Sequence, residues 1–417
     1  MALRQPLSRL QLSRVQWLGW GLAAAGKLFE GLIVFIGGMA LPSLTERFGL
    51  TPLAQGAFAA ASLLGILMGA LGLGWLADRI GRRWLFSAEL LLLALGLLGA
   101  ALSPTAPLLL VSLLVVGIAL GADYPLAHLV ISETVPAAQR GRLVLAAFGC
   151  QALGAVLGMA AAAWVLAPRP EPLSWRLLYL LPLLPVALLA LARWRLPESG
   201  PWLESRQGKP QPGGLGPLFA PPLRRALALA ALPWFLQDLT TYGVGIYLPQ
   251  LLQGASGLAA WVELAFLIGI VVAIALVDRW GRIPLQILGF LGCAAGLLLA
   301  ARGQLAGGDG QLPWLIAGLL LVQFMTNLGP NAQTYLLAGE LFPTALRGRG
   351  AGLAAAVGKL GAIAAALAIP PLLQRWGAGP LLPLLAATSL LGAALTWGLR
   401  LDMAPEPPPL DPGSGAS

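Results

Sequence analysis

Gly74-Trp-Leu-Ala-Asp78-Arg79-Ile-Gly81-Arg82-Arg83 returns 200 residues later as Val277-Asp278-Arg279-Trp-Gly281-Arg282. A second motif behaves in the same way. Glu133-Thr-Val-Pro136-Ala-Ala-Gln-Arg140-Gly141-Arg142 recurs as Glu340-Leu-Phe-Pro343-Thr-Ala-Leu-Arg347-Gly348-Arg349, at an offset of 207. Two unrelated motifs repeating at nearly one offset mean that the chain is a duplicated unit. Each copy follows a long apolar run, so the repeat also sets where the helices lie.

Those runs dominate the composition. Of 417 residues, 58% are hydrophobic and 10% charged, with a mean hydropathy of +0.81. A soluble domain carries about 25% charge, so these runs are read as lying in lipid. A span needs about 20 mostly apolar residues. Twelve stretches qualify: 16–41, 53–77, 84–102, 106–132, 143–167, 175–194, 227–252, 258–277, 284–302, 312–338, 346–373 and 379–399. Lipid offers no partner to free backbone N–H and C=O groups, so each must be a helix. The expected fold is an all-α membrane protein with twelve transmembrane helices in two pseudo-symmetric six-helix halves. The first run is too long for a signal-peptide core and is expected to be retained as a span.

The basic residues set the orientation. With the N-terminus inside, nineteen of the 26 Lys and Arg residues fall in inner segments, Arg193 among them, and five in outer loops. That bias places both termini in the cytoplasm. The Pro- and Gly-rich stretch 196–225 is then a cytoplasmic linker between an N-terminal half, 1–195, and a C-terminal half, 226–401. The tail 402–417 is expected to be disordered. The net charge of +9 is spread over short links without interleaved aromatics, which excludes a nucleic-acid face. Cys150 and Cys293 fall within apolar runs and read as small buried hydrophobes. No metal cluster, cofactor motif or nucleophile–His–acid set is present, so an enzyme is not expected.

A charge within the bilayer costs enough to imply a function. Lys27 and Glu30 (span 1), Asp123 (span 4), Asp238 (span 7) and Lys359 (span 11) are such charges. Glu89 lies near the inner end of span 3 and is expected to reach the interface by snorkelling. In span 7, Trp234, Asp238 and Tyr242 follow at i, i+4 and i+8 and share one face. That face is poor for lipid and good for a polar solute. Tyr124 follows Asp123, Gln151 lies in span 5, Asn331 follows Pro330 in span 10, and Pro330 loosens that helix. His128, the only histidine, reads as a local hydrogen-bonding residue or a relay member.

The Asp-Arg-x-Gly-Arg-Arg loop is similar to the signature loop of the major facilitator superfamily. The Glu-x-x-Pro-x-x-x-Arg-Gly repeats, with Pro197-Glu198-Ser199 after span 6, resemble its sugar-porter-like branch. The physical reading of these motifs is a cytoplasmic latch. Asp78, Glu133, Asp278 and Glu340 accept hydrogen bonds from helix N-termini and from Arg79, Arg82, Arg83, Arg140, Arg279, Arg282 and Arg347, holding one access state.

The intramembrane set resembles the phosphate:proton symporters of that superfamily. The resemblance implies that Tyr124, Gln151, Trp234, Asp238, Tyr242, Asn331 and Lys359 surround phosphate, and that Asp123, with Glu30, serves the proton path. Phosphate wants one strong cation and several neutral donors. Asp238 can accept from the P–OH of monobasic phosphate. Two departures stand out: Ile33 replaces a second span 1 acid, and Lys27 lies one turn before Glu30, close enough to pair with it. The resemblance therefore implies a monomeric, proton-coupled phosphate importer that works by alternating access. The alternatives are a coupled or passive porter of an organic acid or sugar, and a membrane solute sensor.

Overall fold

The computed structural model describes residues 12–166, 174–207, 214–245, 259–306 and 311–400. The tail 402–417, the basic Arg4 and Arg9, and the outer end of span 7 lie outside the described residues. Among the described residues there is no strand. Ten helical stretches there are long and apolar enough to cross a membrane.

The first half begins with α1 (Arg14–Phe48), α2 (Pro52–Ile80), α3 (Arg82–Leu102), α4 (Ala106–Thr134) and α5 (Arg140–Leu166). The expected sixth span is split into α6 (Ser174–Leu180) and α7 (Leu183–Arg193), with Pro182 between them. Short helices α8 (Gly200–Arg206) and α9 (Gly216–Phe219) occupy the linker. Then come α10 (Pro221–Gly245), α11 (Ala259–Trp280) and α12 (Arg282–Ala306). They coincide with spans 7 to 9. The tenth expected span is two helices, α13 (Gln311–Leu328) and α14 (Pro330–Glu340). The chain closes with α15 (Arg347–Trp376) and α16 (Ala378–Leu399).

Local chemistry sets the helix ends. Ser13 and Gln16 form a capping box at the start of α1, and Gly49 closes that helix in the left-handed region. Thr51 caps α2 ahead of Pro52. Between α2 and α3 the chain reverses on one residue, Gly81, at φ +109°; Gly281 does the same between α11 and α12 at φ +83°. No side chain is at ease there, so the glycine of each Asp-Arg-x-Gly-Arg copy is dictated by the turn. Span 10 breaks rather than bends. Gly329 departs from helical geometry (φ −116°, ψ −98°), and Pro330 opens α14.

Helix α4 packs on α2 and α3, and α1 on α5. In the second half α12 packs on α13 and α16, and α10 on α15. The two sets meet where α2 crosses α15 and where α5 crosses α11. Small residues permit these contacts. A Cβ on Gly117 would stand 2.9 Å from the Cα of Gly65 across the α2–α4 contact. The outside is apolar: Leu95, Leu184 and Leu367 are 65%, 68% and 64% exposed. The inside holds the charges, the distribution lipid demands.

Candidate functional site: a charge-lined interior and its latch

At the motif-bearing ends, each half caps a helix of the other. Asp78 accepts from the backbone N–H of Gly348 (Oδ1, 3.1 Å) and Arg349 (Oδ2, 2.9 Å), in the first turn of α15. Arg82 braces Asp78 (2.9 Å), reaches Glu133 (3.3 Å) and donates to the Thr344 carbonyl (3.0 Å). Arg347 lies 3.7 Å from Glu133. The second copy reciprocates. Asp278 Oδ2 accepts from the N–H of Arg142 in α5 (3.1 Å), while Arg282 joins Asp278 (3.3 Å) to Glu340 (2.9 Å). The carboxylates thus meet the positive end of a helix in the opposite half.

Three expected latch arginines lie elsewhere. Arg79 stacks on Trp75 (3.9 Å), Arg279 is exposed, and Arg83 donates to the Trp194 carbonyl (2.6 Å). Arg140 opens α5. Glu198, quoted in the motif but given no role, accepts from the N–H groups of Arg82 (2.9 Å) and Arg83 (3.1 Å). It caps α3, whose N-cap Gly81 has no side chain to do so.

Deeper in the first half lies a sealed charge cluster. Lys27 Nζ is 2.8 Å from Glu30 Oε2 and 3.0 Å from Asp123 Oδ2. Gln151 donates to Glu30 Oε1 at 2.9 Å. Arg193 lies 3.4 Å from Asp123 Oδ1 and 2.5 Å from Glu89 Oε1, with its guanidinium over Phe86. Lys27 and Arg193 are 0% exposed, Glu30 1% and Glu89 2%. Two expectations are corrected here. Glu89 does not snorkel; it turns inward to a cation contributed by α7. Arg193 is no surface topology residue; at the last position of its helix, its guanidinium folds back to bond the Phe86 and Leu22 carbonyls. No spacing rule joins residues 104 apart on two helices, so only packing reveals the pair.

The second half holds the other cation. Lys359 Nζ on α15 is 2.8 Å from Asp238 Oδ2 and 3.4 Å from the Tyr242 hydroxyl on α10. Gly358 matters through its neighbour. A Cβ there would stand 2.7 Å from Cδ1 of Trp234, so its absence lets the indole lie against α15 beside Lys359. Asn331 donates to Asn327 (2.9 Å) and faces Gln237 (3.4 Å). Tyr124 joins the clusters. Its ring centroid is 4.4 Å from Lys27 Nζ, 5.1 Å from Lys359 Nζ and 6.1 Å from the Trp234 ring.

Of the seven expected substrate residues, Tyr124, Trp234, Asp238, Tyr242 and Lys359 therefore converge. Gln151 is turned to Glu30, and Asn331 to its asparagine neighbour. Tyr335, which no motif singled out, enters from α14 between Tyr124 (6.4 Å), His128 (5.3 Å) and Phe148 (4.7 Å, stacked). The local hydrogen-bonding reading of His128 is corrected: neither ring nitrogen has a hydrogen-bond partner among the described residues, and the ring packs against Gly339. Both cysteines are free, and Cys293 is buried.

A family described as the Major Facilitator Superfamily matches residues 23–366. The chain is 30% identical to the inner membrane metabolite transport protein YgcS of Escherichia coli, covering 93% of this chain and 92% of that one. It is 29% identical to the niacin transporter NiaP of Acinetobacter baylyi (84% of each chain). It is 28% identical to the probable inorganic phosphate transporter 1-10 of Oryza sativa (80% of this chain, 73% of that one). Among solved structures, the proton:xylose symporter XylE superposes with a TM-score of 0.80 at 20% identity, covering 92% of this chain and 95% of that one.

Proposed function

This chain belongs to the Major Facilitator Superfamily, a multi-pass membrane transporter and not an enzyme, and from that premise we propose that it imports inorganic phosphate together with protons. The observation that carries the reading is the buried Lys359–Asp238–Tyr242 set beneath the Tyr124 ring of the opposite half. One cation with neutral donors suits an oxyanion. Asp238 holds Lys359 while the site is empty and accepts a P–OH hydrogen bond when monobasic phosphate arrives. The twelve-span count, cytoplasmic termini, 196–225 linker and monomeric state complete the proposal.

Transport follows from the two-sided construction. Helices α2 and α15, and α5 and α11, are the contacts about which two halves rock in alternating access. The Asp78 and Asp278 latches favour the state closed at their end. Proton coupling acts through the cluster around Asp123 and Glu30, whose charge must be neutralised for the loaded carrier to reorient.

A small organic acid is the second reading. It is favoured by the engagement of Gln151 with Glu30, which removes one phosphate donor, and by the aromatic walls of Tyr124, Trp234 and Tyr335. Relatives named for niacin and for phosphate match comparably. The test is uptake of radiolabelled phosphate, and separately nicotinate, into proteoliposomes with and without an inward proton gradient, beside Lys359→Ala. Gradient-driven phosphate uptake lost in the variant supports the first reading. Nicotinate uptake without phosphate uptake replaces it with the second.

A further inference from the structure

We propose that Lys27 is a tethered stand-in for a coupling cation: its ammonium holds the place of one proton in the first-half charge cluster, leaving a single exchangeable proton, on Glu89. The proposal sets the proton count of the transport reading above and rests on it.

The count follows from the geometry. Three carboxyl groups, Glu30 (α1), Asp123 (α4) and Glu89 (α3), share two cations, Lys27 (α1) and Arg193 (α7). The other groups facing Lys27 are neutral: Gln151 from α5 on Glu30, Tyr124 from α4 and Tyr335 from α14. With every acid ionised, a sealed cluster within the membrane would carry one uncompensated negative charge, which low dielectric penalises heavily. One acid must therefore hold a proton.

The contacts say which. Both oxygens of Glu30 are held by charged or polar N–H donors, Lys27 at 2.8 Å and Gln151 at 2.9 Å. Asp123 has a cation close to each oxygen: Lys27 lies 3.0 Å from Oδ2 as an ion pair without a hydrogen bond, and Arg193 donates to Oδ1 at 3.4 Å. Such donors favour the charged form. Glu89 has one oxygen on Arg193, while its Oε2 accepts no hydrogen bond from the described residues, and Asp123 is the neighbour to which an Oε2–H would donate. The proton arrives from solvent, binds Glu89 Oε2, and leaves by the same bond breaking.

Lys27 changes the count by one. Without it, Glu30 and Asp123 would face each other with Arg193 as the only cation, and a second proton would be needed for neutrality. A proton can depart during the cycle; an ammonium fixed to α1 cannot. The lysine thus converts one mobile coupling charge into a permanent one.

The test is infrared spectroscopy of the full chain in lipid at neutral pH, without substrate, reading the C=O stretch of protonated carboxyl groups. The wild type is expected to show one such component, absent in Glu89→Gln. Lys27→Met gains a second component, whereas Lys27→Arg and the double variant Lys27→Met/Glu30→Gln keep one. A band that survives Glu89→Gln, or a Lys27→Met spectrum with no added component, overturns the proposal. Should Lys27→Met alone fail to fold, the charge-balanced double variant decides: one component supports the count, none or two overturns it. Because no substrate is present, failure of the phosphate reading leaves these spectra unchanged, so the two failures are distinguishable.

Discussion

The Lys359 ammonium lies 2.8 Å from Asp238 Oδ2, and neither residue is more than 2% exposed. A pair so enclosed is costly to break from one side. Removing one partner of a buried pair costs about 3–5 kcal/mol, whereas replacing both by apolar groups is often neutral. Lys359→Met is therefore expected to lower the thermal midpoint of the purified protein, and Lys359→Met/Asp238→Leu to recover most of the loss. Neither variant should transport. Equal midpoints for the single and double variants would show that the pair is not electrostatically coupled.

The two latches are alike in pattern and unequal in burial. The Asp78 side chain is 0% exposed and that of Asp278 is 16% exposed. Loss of a cap costs about 0.5–2 kcal/mol, and screening by water reduces the exposed one. Asp78→Ala should shift the population away from the latched state roughly two- to thirtyfold, with a smaller shift for Asp278→Ala. Distances between spin labels on the motif-bearing ends of the two halves would read both. A larger effect at Asp278 would contradict the burial argument.

Gly81 and Gly281 make the same turn in different surroundings. A Cβ on Gly81 meets the Glu198 carboxylate that caps α3, while on Gly281 the nearest heavy atom is Pro284 Cδ at 3.9 Å. Gly281→Ala should cost only left-handed strain, about 1–2 kcal/mol. Gly81→Ala adds the displacement of Glu198 and should cost more. Thermal unfolding of the two variants side by side checks the order.

Gly358→Ala tests whether Trp234 is held in place for the substrate. The added methyl pushes the indole off α15. Misplacing a binding group by about 1 Å can cost roughly a hundredfold, so phosphate uptake should fall by about tenfold or more in kcat/KM while the thermal midpoint stays near that of the wild type. Unaltered uptake would remove Trp234 from the site.

Asp123→Asn removes the carboxylate shared by Lys27 and Arg193. Uptake is expected to lose its stimulation by an inward proton gradient, measured as the ratio of initial rates with and without the gradient. An unchanged ratio would place coupling elsewhere.

Duplication, helical class and the intramembrane charges were legible in the sequence because each depends on local or periodic features. Apolar runs long enough to span lipid can only be helices. The Asp-Arg-x-Gly-Arg copies announce a reversal that glycine alone tolerates. Trp234, Asp238 and Tyr242 share a face through helical periodicity, and Lys27 and Glu30 pair at i, i+3. What tertiary structure decided was partnership between helices. Arg193 could be counted as a surface charge until α7 was packed on α3, where it bonds Glu89. Gln151 chose Glu30 because α1 crosses α5 where a Cβ on Gly31 would strike the Gln151 backbone. Tyr335 reached Tyr124 only through the break at Gly329 and the meeting of α14 with α4. Such contacts join residues scores to hundreds apart, and no local preference encodes them; they follow from how tightly particular backbones can approach and which buried charges must then be satisfied.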